Sequence, residues 1–227
     1  MSVISKKAAQ RRAKDPRVVR TRAAVVEAAR TLFLDRGYAG TTVEEMAAQA
    51  GLTKRTVYNN YPDKEALFRQ IVAEVTGYAD AFARDLRQEF TGISAANLGD
   101  ALDDLGRRLA LGIVRPEVVA MRRLLIGEAR EFPSLAVEYF DRAPGQVLEA
   151  LASGFKRLQR AGVLRAADSR LAAAQFAYLV AGEPLDRAVL VGTIPARRHL
   201  IAGAREGVRT FLARYGAGEG RAHGRTR

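Results

Sequence analysis

Between Val43 and Ala50 the apolar residues fall at Val43, Met46, Ala47 and Ala50. This i, i+3, i+4, i+7 spacing predicts a helix with one buried face. Thr42 precedes it and Glu45 follows three positions later, the pattern of a capping box in which each side chain satisfies a backbone N–H left open in the first turn. Gly51 stands where a left-handed residue ends such a helix, a conformation glycine takes without a Cβ clash. Leu52 can then drop into a core, and Thr53 can cap a second helix whose first turn holds Lys54, Arg55 and Thr56. A helix, a glycine turn and a second helix opening with cations and hydrogen-bond donors is the helix-turn-helix plan, here about residues 41–60.

The same periodicity continues on both sides. Upstream, Val25, Ala29, Leu32 and Phe33 define a helix over about Arg20 to Arg36, closed by Gly37. Pro16 is expected to interrupt any helix arriving from the N-terminus. Downstream, Asp63 can cap a fourth helix that carries Leu67, Ile71, Val72 and Val75 and runs past Tyr78 toward Phe90. Further helices are expected over Leu98–Ile113, Pro116–Phe132, a short segment from Ser134, and Ala143–Ala161 ending at Gly162. One more is capped by Asp168 or Ser169 and punctuated by Gly182 and Pro184, and a last one opens at Pro195. No stretch alternates as a strand does, so the expected fold is all-α: a three-helix N-terminal domain and a larger C-terminal helical one. The expected divisions are a basic arm over residues 1–17, a DNA-binding domain over 18–78, a second domain over 79–215 and a basic tail over 216–227.

Charge sharpens this picture. The chain carries a net charge of +12 in 227 residues, but the excess is uneven. The segment up to Arg22 holds eight Lys and Arg (Lys6, Lys7, Arg11, Arg12, Lys14, Arg17, Arg20, Arg22) against Asp15 alone. A basic arm beside a helix-turn-helix can neutralise phosphates or enter a minor groove. There is no cysteine, which removes disulfides and thiolate zinc sites and fits a cytoplasmic protein. No apolar run approaches the roughly 20 residues a membrane span needs, so no membrane partner is expected. The only histidines are His199 and His223. No nucleophile setting, phosphate loop or metal-ligand spacing accompanies them, so neither an enzyme nor a cofactor or metal is expected.

In the helix-turn-helix reading the second helix lies in a major groove, its first residues nearest the bases. Lys54 and Arg55 can reach guanine O6 and N7, Arg55 with a two-pronged bond, while Thr53 and Thr56 can meet a phosphate or a thymine methyl. Tyr58, Tyr61 and Lys64 read as backbone contacts, or else as packing for the tyrosines and a solvated charge for the lysine.

The stretch TRAAVVEAARTLFLDRGYAGTTVEEMAAQAGLTKRTVYNNYPDKEALF, from Thr21 to Phe68, resembles the DNA-binding domain of the tetracycline-repressor (TetR) family of bacterial regulators. The ordered matches are the LF helix end, RGY, TT, AGLTKRTVY and YPDKEAL. The resemblance implies a homodimer that binds a palindromic double-stranded DNA operator, usually to repress, and is released by a small apolar or aromatic effector. It adds Thr42 and Asn59 to the DNA contacts Thr53, Lys54, Arg55, Thr56, Tyr58, Tyr61 and Lys64. The chain departs from the family's usual His-Tyr-Phe at Asn59-Asn60-Tyr61, so Asn60 stands where a phosphate-contacting tyrosine is common.

The C-terminal region, with RRLLIGEAREFPSLAVEYFDRAP and AGVLRAADSRLAAAQF, resembles the ligand-binding domain of multidrug-type members. That resemblance offers Leu124, Glu128, Phe132, Tyr139, Phe155, Phe176 and Tyr178 as pocket residues, although each also fits an ordinary core. Glu128 is flanked by Leu124, Leu125, Ile126 and Phe132, and if buried it must be paired or protonated. Leu179, Val180, Ile201, Ala204, Val208 and Leu212 on the last two helices are the expected dimer face. The rival reading is an architectural DNA-binding protein using its arm and tail for mostly nonspecific binding.

Overall fold

The computed structural model describes residues 15–217, so the basic arm up to Lys14 and the tail from residue 218 lie outside the described residues. Ten α-helices are present among the described residues: α1 Pro16–Arg36, α2 Val43–Gln49, α3 Lys54–Tyr58, α4 Lys64–Glu89, α5 Leu98–Ile113, α6 Pro116–Glu128, α7 Pro133–Phe140, α8 Gln146–Arg160, α9 Ser169–Val191 and α10 Arg197–Tyr215. A 3-10 turn, Phe90–Gly92, follows α4.

Several boundaries differ from those expected. Helix α1 begins at Pro16, ahead of the expected Arg20, because Asp15 caps the helix by accepting the Arg17 N–H at 2.8 Å and proline at a first helical position forfeits no bond. Helix α6 stops at Glu128, short of Phe132. Between α7 and α8 the chain makes one π turn, Asp141–Gly145, with Pro144 inside it. The wider turn accommodates a residue that has no N–H to give. Gly182 and Pro184 do not break α9, which runs on to Gly192 in a left-handed conformation at φ +80°.

The helices form two compact units. The first comprises the described residues through Glu74 together with Leu124–Leu135; the second comprises Val75–Arg123 and the chain from Ala136. Helix α4 therefore begins in one unit and ends in the other. The return of 124–135 to the first unit is not visible in local pattern. It is held there by Phe132, whose ring meets Tyr38 at 4.7 Å and Phe68 at 5.4 Å between centroids. Such ring contacts add to the gain from burying the rings themselves.

The core of the second unit is ring-rich. Phe155 lies 5.5 Å from Phe90, 5.4 Å from Phe176 and 4.9 Å from Phe211, and all four are buried. Small residues let the helices come this close. A Cβ placed on Gly207 of α10 would sit 2.5 Å from the Leu179 carbonyl oxygen of α9, and one on Gly154 of α8 would enter the Phe90 ring.

Candidate DNA interface and effector cavity

The first unit turns its polar groups onto its own backbone. Thr42 and Glu45 form the capping box, with the Glu45 carboxylate accepting the Thr42 N–H at 2.8 Å and Thr42 Oγ1 accepting the Glu45 N–H at 3.3 Å. The Thr42 hydroxyl and the backbone hold Glu45 below the usual carboxylate range. Gly51, at φ +66°, ends the α2 segment, and the Leu52 N–H reaches the Ala47 carbonyl at 2.9 Å. Thr53 caps α3, its Oγ1 accepting from the Thr56 N–H at 3.2 Å. Val57 is the one fully buried side chain of α3, so it sets which face of the helix points outward.

Lys54, Arg55, Tyr58 and Asn59 are exposed on α3 and its cap. They are not equivalent. Lys54 is ion-paired with Glu44 of α2 and lies over the Tyr58 ring at 5.7 Å. The hydrogen bond between the pair raises the lysine's pKa and lowers that of the glutamate. Arg55 has no ion-pair partner among the described residues, and its guanidinium is the more available of the two. Asn60, where the family commonly has tyrosine, turns back to give its amide N–H to the Thr56 carbonyl at 2.8 Å.

Two expected DNA contacts are engaged elsewhere. Tyr61 is 5% exposed and its ring carries Arg22 at 5.1 Å, so it packs the unit instead of facing outward. Lys64 donates to the Tyr38 and Thr41 carbonyls, each at 2.9 Å, and stands 4.1 Å above the Tyr38 ring. Its ammonium thus ties the loop before α2 to the start of α4, leaving one N–H for anything else. Glu128 belongs to the same arrangement: its carboxylate accepts the Tyr38 N–H at 3.2 Å.

A half-open pocket of about 240 Å³ lies in the second unit. Its walls come from α4, α5, α6, α7, α8, α9 and the π turn. Of the expected pocket residues, Tyr139 and Tyr178 line it. The other five do not. Leu124, Glu128 and Phe132 belong to the first unit, and Phe155 and Phe176 are filled into the ring core, both 0% exposed. Periodicity marks a side chain as inward-facing and cannot say whether it meets a neighbour or a void. Sequence reading missed Tyr78, Phe82, Phe140 and Arg122, which do line the cavity.

Among the described residues only two charged side chains line the cavity, Arg115 and Arg122, and no carboxylate does. Arg115 is paired with Glu117 at 3.5 Å. Arg122 lies against Tyr139, whose phenol is pushed up by burial and partly drawn back by the charge and hydrogen bond of Arg122. The Arg122 Nε is buried without a hydrogen-bond partner among the described residues.

The expected dimer residues also divide. Val180, Ala204 and Val208 are core, each at most 2% exposed, because α5, α9 and α10 pack around Gly106, whose added Cβ would lie 2.8 Å from Val208 and 3.3 Å from Val180. Leu179 is exposed, and Ile201 and Leu212 are half-buried. Large apolar residues outside the expected set, Leu171, Leu190 and Val191, are exposed on α9.

Comparison with known proteins places these features in a family. Residues 25–71 match the model for bacterial regulatory proteins of the tetR family, and residues 100–217 match that for the C-terminal domain of AefR-like transcriptional repressors. The HTH-type transcriptional regulator TtgR of Pseudomonas putida is 31% identical over 172 residues, covering 70% of this chain and 76% of that protein. The crystal structure of a TetR-family regulator from Mesorhizobium loti MAFF303099 superposes with a TM-score of 0.79 at 28% identity, covering 89% of this chain and 100% of the other. The flavonoid-responsive regulator FrrA gives a TM-score of 0.65 at 28% identity, covering 87% of this chain and 97% of the other.

Proposed function

Because this chain belongs to the tetracycline-repressor family of bacterial regulatory proteins, we propose that it is a repressor released from its operator by a small molecule. It is a sequence-specific DNA-binding transcriptional regulator, as its relatives are, and the architectural alternative is not favoured. The observation that carries the finer reading is the cavity of about 240 Å³ in the unit that lacks the helix-turn-helix. An apolar-walled space of this kind is the usual form of a small-molecule site, and its rim of tyrosine and phenylalanine suits ring-bearing compounds. The description of FrrA as flavonoid-responsive supports starting with that chemistry.

The acting form is a homodimer on a palindromic operator, with one α3 in each of two successive major grooves about 34–36 Å apart. The exposed apolar side chains of α9, with Leu179, Ile201 and Leu212, support that helix and α10 as the shared face. Effector release requires the ligand to bind the two spacings of the dimer with different affinity. Helix α4, continuous from Lys64 to Glu89, is the element that can carry the change.

Footprinting on the DNA flanking the protein's own gene, at physiological salt, with and without aromatic compounds, tests the proposal. A protected palindrome freed by one of them is the expected result. A diffuse, salt-sensitive pattern that no compound alters would refute it.

A further inference from the structure

The charge of the cavity is as informative as its walls. Its lining holds two arginines and no carboxylate among the described residues. Burying a cation in apolar surroundings is unfavourable unless an anion or a full set of acceptors compensates it. Arg115 has Glu117. Arg122 has no ion-pair partner among the described residues; it has a neutral phenol in Tyr139, and its Nε–H is left without an acceptor. With Nε closed off from the pocket, the terminal Nη–H groups of the guanidinium are the donors it can offer to the two oxygens of a carboxylate.

We propose that the cavity selects ring-bearing apolar molecules carrying one negative charge, and that Arg122 is the residue that reads the charge. The proposal rests on the reading of this cavity as the effector site. The rings lie among Tyr78, Phe82, Phe140 and Tyr178, and the anion meets the Nη groups of Arg122 beside Tyr139. A cation of the same shape meets the Arg122 charge and no carboxylate among the described lining residues, so the pocket disfavours it.

The test compares 2-naphthoate with 2-naphthamide, the same rings with and without the charge, by isothermal titration of the full chain. The acid is expected to bind about tenfold or more tighter than the amide, as a charge-assisted hydrogen bond implies. In Arg122→Gln the acid is expected to fall to the affinity of the amide while the amide is unchanged. Arg115→Gln is expected to keep most of the preference. Equal binding of acid and amide to the unaltered protein overturns the proposal while leaving the cavity as an effector site. Binding of neither compound overturns the effector-site reading and the proposal with it. A preference that survives in Arg122→Gln overturns the assignment to Arg122. The first comparison needs no variant. If Arg122→Gln does not fold, Arg122→Lys keeps the charge without the paired Nη donors, and its acid-to-amide ratio is expected to drop; an undiminished ratio overturns the two-donor recognition by Arg122.

Discussion

In the DNA-binding unit polar side chains fasten the unit's own backbone. In the second unit rings and small residues close the core. Thr42, Glu45, Thr53, Lys64 and Glu128 all bind main-chain atoms around the helix-turn-helix. The corresponding work in the second unit falls to Phe90, Phe155, Phe176 and Phe211 and to the close approach of helices at Gly154 and Gly207. Glycine shows the contrast most plainly. Gly51 is there for a backbone angle of +66°, whereas Gly154 is there because nothing larger fits beneath the Phe90 ring. Directional bonds to the main chain hold a short helix at one angle, as a reading head requires. Packing of rings permits a void and a choice of occupants.

The contrast can be broken first at the ring core. Phe155→Ala is expected to destabilise the protein by about 3–5 kcal/mol in urea unfolding, the range for deleting a buried ring. Gly154→Ala should cost about 1–3 kcal/mol by overpacking, and Phe90→Leu in the same chain should restore part of it. A Gly154→Ala protein as stable as its parent would mean that the ring can move aside.

On the DNA side, Arg55→Ala should weaken binding to the operator by about 1–3 kcal/mol more than binding to random DNA, with the unfolding curve unchanged. Equal losses on both would make Arg55 a phosphate contact. Thr42→Ala should cost about 1 kcal/mol of stability through the lost cap, seen as a lower urea midpoint. The smallest expected effect is a sharpening one. Glu44→Gln releases Lys54 from its ion pair and should raise DNA affinity a few-fold in a mobility-shift titration. No gain would mean that Lys54 leaves Glu44 at no cost or does not meet DNA.

Much of the DNA-binding unit was legible in the chain because its devices span few residues. Thr42 and Glu45 are three apart, Thr53 and Thr56 likewise, and Gly51 follows α2 closely, so each could be read before any fold was known. The roles of Tyr61 and Lys64 were not legible. Their partners, Arg22 for the one and Tyr38 with Thr41 for the other, lie 39, 26 and 23 positions away, and a tyrosine or lysine beside a recognition helix looks alike whether it faces DNA or packs.

In the second unit the limits of legibility are of a different kind. Tyr139 and Tyr178 were picked on the same grounds as Phe155 and Phe176, and only the first pair lines the cavity. Spacing along a helix tells which residues face inward; it carries no information on whether the facing helix arrives close enough to fill the space.

The amino-acid sequence by itself determined the helices, their caps, the glycine turn and the cations that open α3, because each depends on side chains within about one helical turn of the backbone they satisfy. Only the tertiary structure decided that residues 124–135 join the first unit, that Lys54 is held by Glu44 while Arg55 has no ion-pair partner among the described residues, and that Arg122 lines a pocket with no carboxylate among the described residues. Those outcomes depend on which helices meet and how closely, a property of the packed whole.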